Sequence, residues 1–336
     1  MPKKPRPIVF IGAGGIVRAA HLPAYRERGF VVRGVFDVAP RVARRLARDE
    51  GLERVYDSLD AACGERGVVF DVAVPADQIL SVLRKLPERA IVLIQKPLGR
   101  DLREASRILA LCKAKRLVAA VNFQLRFAPN MLVLQRHLAK KKLGAIVDVE
   151  IRTRTHTPWS TWKFLRGIPR MEILYHSIHA IDLLRACFGE PRDVWASADA
   201  DPLFEGYADT RTLAHFTFAG GMRATISTAH SHEFGSAAKS SHVLVEGTKA
   251  ALLATMGVNL EYPRGEPDTL KICPRRGEWI SLLLEGSWFP KAFAGTMSNL
   301  QRFAAGEDRI LHTAVADAWK TMAVVEKCYR SKARKS

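Results

Sequence analysis

Apolar residues along this chain keep two different rhythms, and the change comes near residue 123. Before it, short β-branched runs alternate with helix-length segments. "IVFIG" (8–12), "VVRGVFD" (31–37), "VVFDVAVP" (68–75), "AIVLIQ" (90–95) and "LVAAVNF" (117–123) read as strands. Between them lie "IVRAAHLPAYRERG", the arginine-rich "RVARRLARDEG" and helical patterns at 76–86 and 102–115. Strands alternating with helices at this spacing imply right-handed βαβ units and a parallel sheet.

After residue 123 a helix is expected over about 128–141, then an alternating strand "AIVDVEIRTRT" (145–155) and a long helix "MEILYHSIHAIDLLRACFG" (171–189). "RDVWASAD", "TRTLAHFTF", "GMRATISTA", "SHVLVEG", "AALLATM", "LKICPR" and "EWISLLL" then follow with hairpin-like turns such as "FAGGM". Successive strands of this kind mean an antiparallel or mixed sheet. Helices near 289–305 and 313–331 close the chain. The fold class is α/β. Residues 1–123 read as a parallel-sheet dinucleotide-binding domain, 124–312 as a substrate-binding and oligomerisation α/β domain, and 313–336 as a C-terminal helix with a basic tail. In such an arrangement the active site is expected in the crevice between the first two.

Composition adds limits. The 336 residues, 48% of them hydrophobic, suffice for one large or two ordinary cores. No apolar run approaches the roughly 20 residues of a membrane span. The basic-then-apolar start "MPKKPRPIVFIGAGG" holds a glycine cluster and no small-residue cleavage pattern, so it reads as a first strand. Cysteines 63, 112, 187, 273 and 328 are odd in number and widely spaced, which points to a reducing cytoplasm rather than a disulfide framework or structural zinc. The net charge of +18 raises the question of a polyanion partner. Its basic clusters, "RVARR", "KKK" (140–142) and "RSKARKS", lie far apart, and no aromatic-interleaved basic strand accompanies them. Neither nucleic acid nor membrane is expected as a partner; an anionic substrate, or simply an arginine-rich proteome, fits the charge better.

The candidate chemistry starts at Gly12-Ala13-Gly14-Gly15-Ile16-Val17. Strand, glycine turn and helix N-terminus make a pyrophosphate cradle, with Gly12 for the tight turn and Gly14 for close backbone approach. Val17 stands at the third fingerprint position, where Gly or Ala is usual; a plain strand-to-helix turn is the other reading. Asp37 follows 25 positions after Gly12, where a carboxylate can accept from an adenosine ribose and repel a 2′-phosphate. NAD is therefore expected, with Arg41 leaving NADP open; Asp37 also reads as a turn or cap residue.

Lys96 puts one ammonium at the mouth of an apolar strand, in "VLIQKPLGRDL". On the 171–189 helix, Tyr175 and His179 are four apart and share a face, Asp182 lies close to the same line, and His176 sits beside His179. Imidazole titrates near neutrality and suits a general base, although a histidine on an apolar helix is also an ordinary core residue. His230 and His232 alternate on a strand, but no third ligand follows at a useful spacing, so no metal is expected. In "THTPWSTWKFLRG", Trp159, Trp162 and Lys163 read as an aromatic loop suited to polyols or to packing.

Together "IVFIGAGGIVRAAHLPAY", "QKP" and "YHSIHAIDLL" resemble the Gfo/Idh/MocA oxidoreductases, the glucose–fructose oxidoreductase and inositol dehydrogenase family. The resemblance runs on to "AVADAWKTMAVVEKCYRS". It implies an N-terminal Rossmann domain, a C-terminal domain with a large, mostly antiparallel sheet, and NAD or NADP as cofactor. It also implies carbohydrate-like substrates and a homodimer or homotetramer formed through the open sheet face. By the same resemblance Lys96 touches both substrate hydroxyl and nicotinamide ribose, and His179 is the general base. Three positions depart from the family's pattern: Gln95 replaces a glutamate, Tyr175 an aspartate, and Val17 a small residue.

The expected reaction is hydride transfer between nicotinamide and a CH–OH carbon, with Lys96, His179 and Tyr175 as catalytic candidates. Gly12, Gly14, Gly15, Ile16, Asp37, Pro75, Lys96 and Pro97 form the expected cofactor set. Lys96, Asn122, Arg126, Trp162, His176 and His179 form the expected substrate set. Gln95 leaves the field of Lys96 uncompensated, which, with Arg126, Arg152 or Arg154, would suit a carboxylated or phosphorylated substrate. Two other classes stay in view: a non-catalytic NAD(P)-binding sensor, and an enzyme that recycles tightly bound NAD without net redox.

Overall fold

The computed structural model describes residues 1–262 and 264–333; the end of the expected basic tail, 334–336, lies outside the described residues. The chain divides into two compact units. One is Met1–Phe127 with Phe289–Met322, and the other is Ala128–Trp288 with the segment from Ala323 on.

The first unit is built on six strands, β1 (Ile8–Ile11), β2 (Val32–Phe36), β3 (Arg54–Val55), β4 (Val69–Val72), β5 (Ile91–Ile94) and β6 (Val118–Val121). All pair in parallel, in the order β3-β2-β1-β4-β5-β6. Every residue of β1, β4 and β5 is buried, as a parallel strand covered on both faces requires. The connecting helices are α1 (Leu22–Glu27), α2 (Pro40–Glu50), α3 (Leu59–Cys63), α4 (Ile79–Lys85) and α5 (Leu102–Ala114). Local sequence sets their ends. Pro40 starts α2 and left-handed Gly51 stops it, while the Asp101 carboxylate caps α5 by accepting from the Glu104 amide at 2.7 Å. The strand order reverses direction between β1 and β4, so the carboxyl ends of these two strands form the topological switch point.

The second unit opens with α6 (Pro129–Ala139) and the long strand β7 (Ile146–Arg154). A π-helical turn at Ile173–Ser177 leads into α7 (Ile178–Phe188). Then come β8 (Asp193–Asp199), β9 (Arg211–Thr217), β10 (Arg223–Ala229), β11 (Ser240–Gly247), β12 (Ala250–Thr255), β13 (Thr269–Pro274) and β14 (Ile280–Ser281). They form one eight-stranded sheet in the order β14-β13-β12-β11-β7-β10-β9-β8. Pairing is antiparallel except between β7 and β10. The expected strand "EWISLLL" shrinks to the two residues of β14. Alternate residues are buried along β7, β9 and β10, so Thr153, Thr228 and Thr212, paired across the three strands, point inward. Arg152 and Leu213 belong to the opposite, outward face.

The remaining helices, α8 (Ala292–Ala304) and α9 (Val315–Ala333), change the expected domain plan. Residues 124–312 do not stay in one body: Gln124–Phe127 and everything from Phe289 to Met322 belong to the first unit. The reason is apolar burial. Phe293, Ala294, Met297 and Leu300 of α8 are part of the same core as Phe10, Tyr25 and Leu93. Just past α8, the Thr313 carbonyl accepts from the Val121 amide at 2.8 Å and Ala314 bridges to Ala120, extending the sheet beyond β6.

Candidate functional site

In the first unit the glycine turn leaves β1 at the switch point. Gly12 has φ +103°, and a Cβ there would lie 2.3 Å from the Ala73 carbonyl oxygen, so only glycine fits. Gly14 and Gly15 differ: both are exposed, and a Cβ on either would meet nothing within 4 Å. The backbone is therefore open on the side from which a pyrophosphate would approach the helix N-terminus, with half-buried Ile16 next to it. The Asp37 carboxylate accepts from the Ala13 amide and from the Ala39 amide, both at 2.8 Å, tying the glycine turn to the end of β2. It is half-buried and retains lone pairs for ribose hydroxyls. Pro75 is exposed just beyond β4 and opens a 3₁₀ turn at Ala76–Gln78. These residues fit a dinucleotide: Gly12 and Asp37 shape the turn, and Gly14 and Gly15 leave room over it.

Lys96 follows β5, and its peptide bond to Pro97 is cis. The side chain is half-buried, yet desolvation pushes its pKa down to about 8. Behind it runs a buried polar network that the sequence pattern did not disclose. Tyr25 donates to Asp71 Oδ2 at 2.5 Å, and His21 Nδ1 lies 2.8 Å from the same oxygen. Asn122 Nδ2 lies 3.4 Å from His21 Nε2 and donates to Gln95 Oε1 at 3.0 Å. The proton on His21 Nδ1 thus satisfies both contacts of the ring, with Nε2 left to accept. Burial first, and the Asp71 charge second, raise the Tyr25 pKa well above its usual value and keep it a donor. Asn122 is fully buried and engaged by His21 and Gln95, so it supports the residue before Lys96.

In the second unit, every residue from Met171 to Arg185 is buried except Tyr175, His176 and His179, which are half-buried. The sequence reading grouped these three, and the fold gives them one window on an otherwise closed helix. Asp182, expected near the same line, is buried. Aromatic rings surround the window. Trp159, Leu165 and Met171 form a core against which Trp162, Tyr175, Phe204 and Tyr207 pack. Phe164 meets Tyr175 edge to face at 5.7 Å between ring centres, and Trp162 meets Trp159 at 5.9 Å.

Beneath the window lies a residue that the sequence reading missed. Glu172 is fully buried; His230 Nε2 lies 3.3 Å and His176 Nδ1 3.2 Å from its Oε1. Ser177 donates to the same carboxylate at 2.9 Å, and Thr212 donates to its Oε2. Burial works to raise the Glu172 pKa, but the imidazoles of His176 and His230 outweigh it and hold the carboxyl well below the usual range. Burial, then the proximity of His176, push His230 down to about 4 despite Glu172. The i,i+4 spacing of Glu172 and His176 was the available signal; His230, 58 residues further on, gave none. His232 goes elsewhere: it is exposed and its Nε2 lies 3.1 Å from the Gly235 carbonyl oxygen.

The arginines considered for an anionic substrate have other placements. Arg126 donates to Asp317 at 2.6 Å and to the His312 carbonyl at 2.8 Å, within the first unit. Arg152 and Arg154 belong to the outward sheet face, whereas Thr212 on the inward face bonds Glu172. They point away from the helix that carries His179.

A switch-point glycine cradle on a parallel sheet, followed by a large mixed sheet, is the plan of a dinucleotide-binding protein built in two units. Residues 6–123 match the oxidoreductase family with an NAD-binding Rossmann fold, and residues 131–253 match the GFO/IDH/MocA C-terminal domain. The chain belongs to the GFO/IDH/MocA family, and its first unit is an NAD-binding Rossmann domain. It is 26% identical over 237 residues to the uncharacterized oxidoreductase YhhX of Escherichia coli K12, covering 66% of this chain and 64% of YhhX, which is under two thirds of that relative. An oxidoreductase from Agrobacterium radiobacter, in complex with NAD+, L-tartaric acid and magnesium, shares the fold with a TM-score of 0.82 at 16% identity over 99% of this chain and 98% of that one. A levoglucosan dehydrogenase in complex with NADH and levoglucosan does so with a TM-score of 0.80 at 18% identity, over 99% and 98%.

Proposed function

We propose that this protein is an NAD-dependent dehydrogenase or reductase acting on a CH–OH group of a sugar, polyol or sugar acid. The observation that carries the reading is the window of Tyr175, His176 and His179, half-buried in a closed helix and walled by Trp159, Trp162 and Phe164. Aromatic faces beside hydrogen-bonding groups suit polyhydroxy compounds. Levoglucosan and L-tartaric acid, bound in two structural neighbours, belong to that class.

The nicotinamide, when bound, supplies the hydride acceptor or donor. His179 takes the hydroxyl proton as general base. Lys96 donates a hydrogen bond to the same oxygen and opposes the charge that grows on it. Tyr175, one turn before His179, contacts the substrate. Gln95 is an amide and adds no negative charge of its own beside Lys96, and a preference for an acidic sugar rests on Lys96 rather than on Arg126, Arg152 or Arg154. We also propose that copies associate through the outward face of the eight-stranded sheet, as a homodimer or homotetramer.

The test is turnover of neutral and acidic sugars with NAD and NADP. Lys96→Ala and His179→Ala should each lower kcat by about 10²-fold or more while the protein still binds NAD. Near-wild-type rates in both variants would remove the two residues from the mechanism. Cofactor binding with no reduction across the panel would favour the sensor reading instead.

A further inference from the structure

We propose that Glu172, His176 and His230 form a binding site for one divalent transition-metal ion of the zinc class. The site lies wholly within the second unit and shares His176 and Trp159 with the window of the proposed function, but it is tested by metal binding and not by turnover. One ligand atom from each residue lies within 4.8 Å of the others. The donor set, two imidazoles and one carboxylate, suits zinc, cobalt, iron or manganese and offers too few oxygens for calcium or magnesium.

Distances separate this from an ordinary hydrogen-bonded cluster. A charge-assisted N–H···O bond runs about 2.7–2.9 Å. Here His230 Nε2 stands off from Glu172 Oε1 at 3.3 Å, and His176 Nδ1, 3.2 Å from it, is out of line for a hydrogen bond. Ligands about 2.0–2.2 Å from a tetrahedral zinc are about 3.3–3.5 Å apart, so two edges of the tetrahedron are already close to length. The third edge closes by a small rotation of His176, whose side chain is 27% exposed and free to turn further than its buried partners.

The surroundings are those of a metal ligand shell. Thr157 Oγ1 lies 2.7 Å from His230 Nδ1, which can donate to it and leave Nε2 as the lone-pair donor. Ser177 Oγ lies 2.9 Å from both oxygens of Glu172 and Thr212 donates to Oε2, which fixes the carboxylate while Oε1, with two lone pairs, can still accept the ion. Trp159 roofs the site, its ring edge-to-face with both imidazoles, at 4.8 Å from His230 and 6.3 Å from His176. Among the described residues the ion-pair partners of the buried Glu172 carboxylate are the two imidazoles, so a dication completes its charge balance.

Tag-free protein stripped with chelator should bind one equivalent of Zn²⁺ in a calorimetric titration, and Co²⁺ should give the visible d–d bands of a tetrahedral site. His176→Gln, at a half-buried position, should weaken Zn²⁺ at least 10-fold and bleach the Co²⁺ bands while circular dichroism stays unchanged. Glu172→Gln is the second variant, and Zn²⁺ should raise the Tm of the wild type but of neither variant. Absence of stoichiometric binding, or binding that His176→Gln leaves intact, would overturn the site.

Discussion

Lys96 is the residue whose chemistry can be read most directly from its surroundings. Burial lowers its pKa to about 8, so the ammonium is the dominant form below that pH and is lost above it. If it stabilises the developing alkoxide, kcat/KM should fall as pH rises through about 8. Lys96→Arg, which does not deprotonate in this range, should be slower but lack that alkaline limb. A limb that persists in the arginine variant would assign the titration to another group. Single residues were legible from the sequence where one chemical type is forced by geometry. Gly12 is such a case, since its φ of +103° and the Ala73 carbonyl leave no room for a Cβ. Asn122 was picked out only as a substrate contact and Glu172 not at all, because their partners His21, Gln95, Thr212 and His230 come from distant parts of the chain.

Elements were legible in kind and less so in geometry. The five β-branched runs of the first 123 residues became β1, β2, β4, β5 and β6, since strands covered by helices on both faces are largely apolar, whereas the two-residue edge strand β3 had no such run to announce it. The helical period of 3.6, however, does not hold everywhere. Two π-helical turns, Val17–His21 and Ile173–Ser177, widen the helices at the two places where polar side chains gather. In the second, the wider turn sets Ser177 against Glu172 five residues earlier. In the first, it ends on His21, the hub of the network behind Lys96. A pattern search at i,i+3 and i,i+4 does not look for such pairs. Helix α8 carries a separate prediction. Phe293 is fully buried with its ring 4.9 Å from that of His21. Phe293→Ala should cost about 3–5 kcal/mol in denaturant unfolding followed by a probe in the first unit, whereas a loss under about 1 kcal/mol would mean the helix is not integral to that core.

For the whole molecule, the two-domain α/β plan followed from the switch between alternating and consecutive strands, but its boundary did not. Burial of Phe293 and Met297 drew Phe289–Met322 back to the first unit, and nothing local in "WFPKAFAGTMSNLQRFAAG" says which core its apolar face will join. The outward sheet face bears the proposed association. Leu213, at the centre of β9, is 48% exposed there. Leu213→Glu should convert the assembly to monomer in light scattering without loss of fold, and an unchanged mass would place the contact elsewhere. The return of α8 also has a meaning in time. A ribosome delivers the first 127 residues roughly 160 residues before it delivers Phe293. At about 5–20 residues per second, that leaves an unfinished nucleotide-binding core waiting on the order of 10–30 s. Nascent chains stalled before residue 289 should therefore be cut by protease within the first unit, and those stalled well beyond 322 should resist, which makes chaperone holding during synthesis part of this protein's route to its fold.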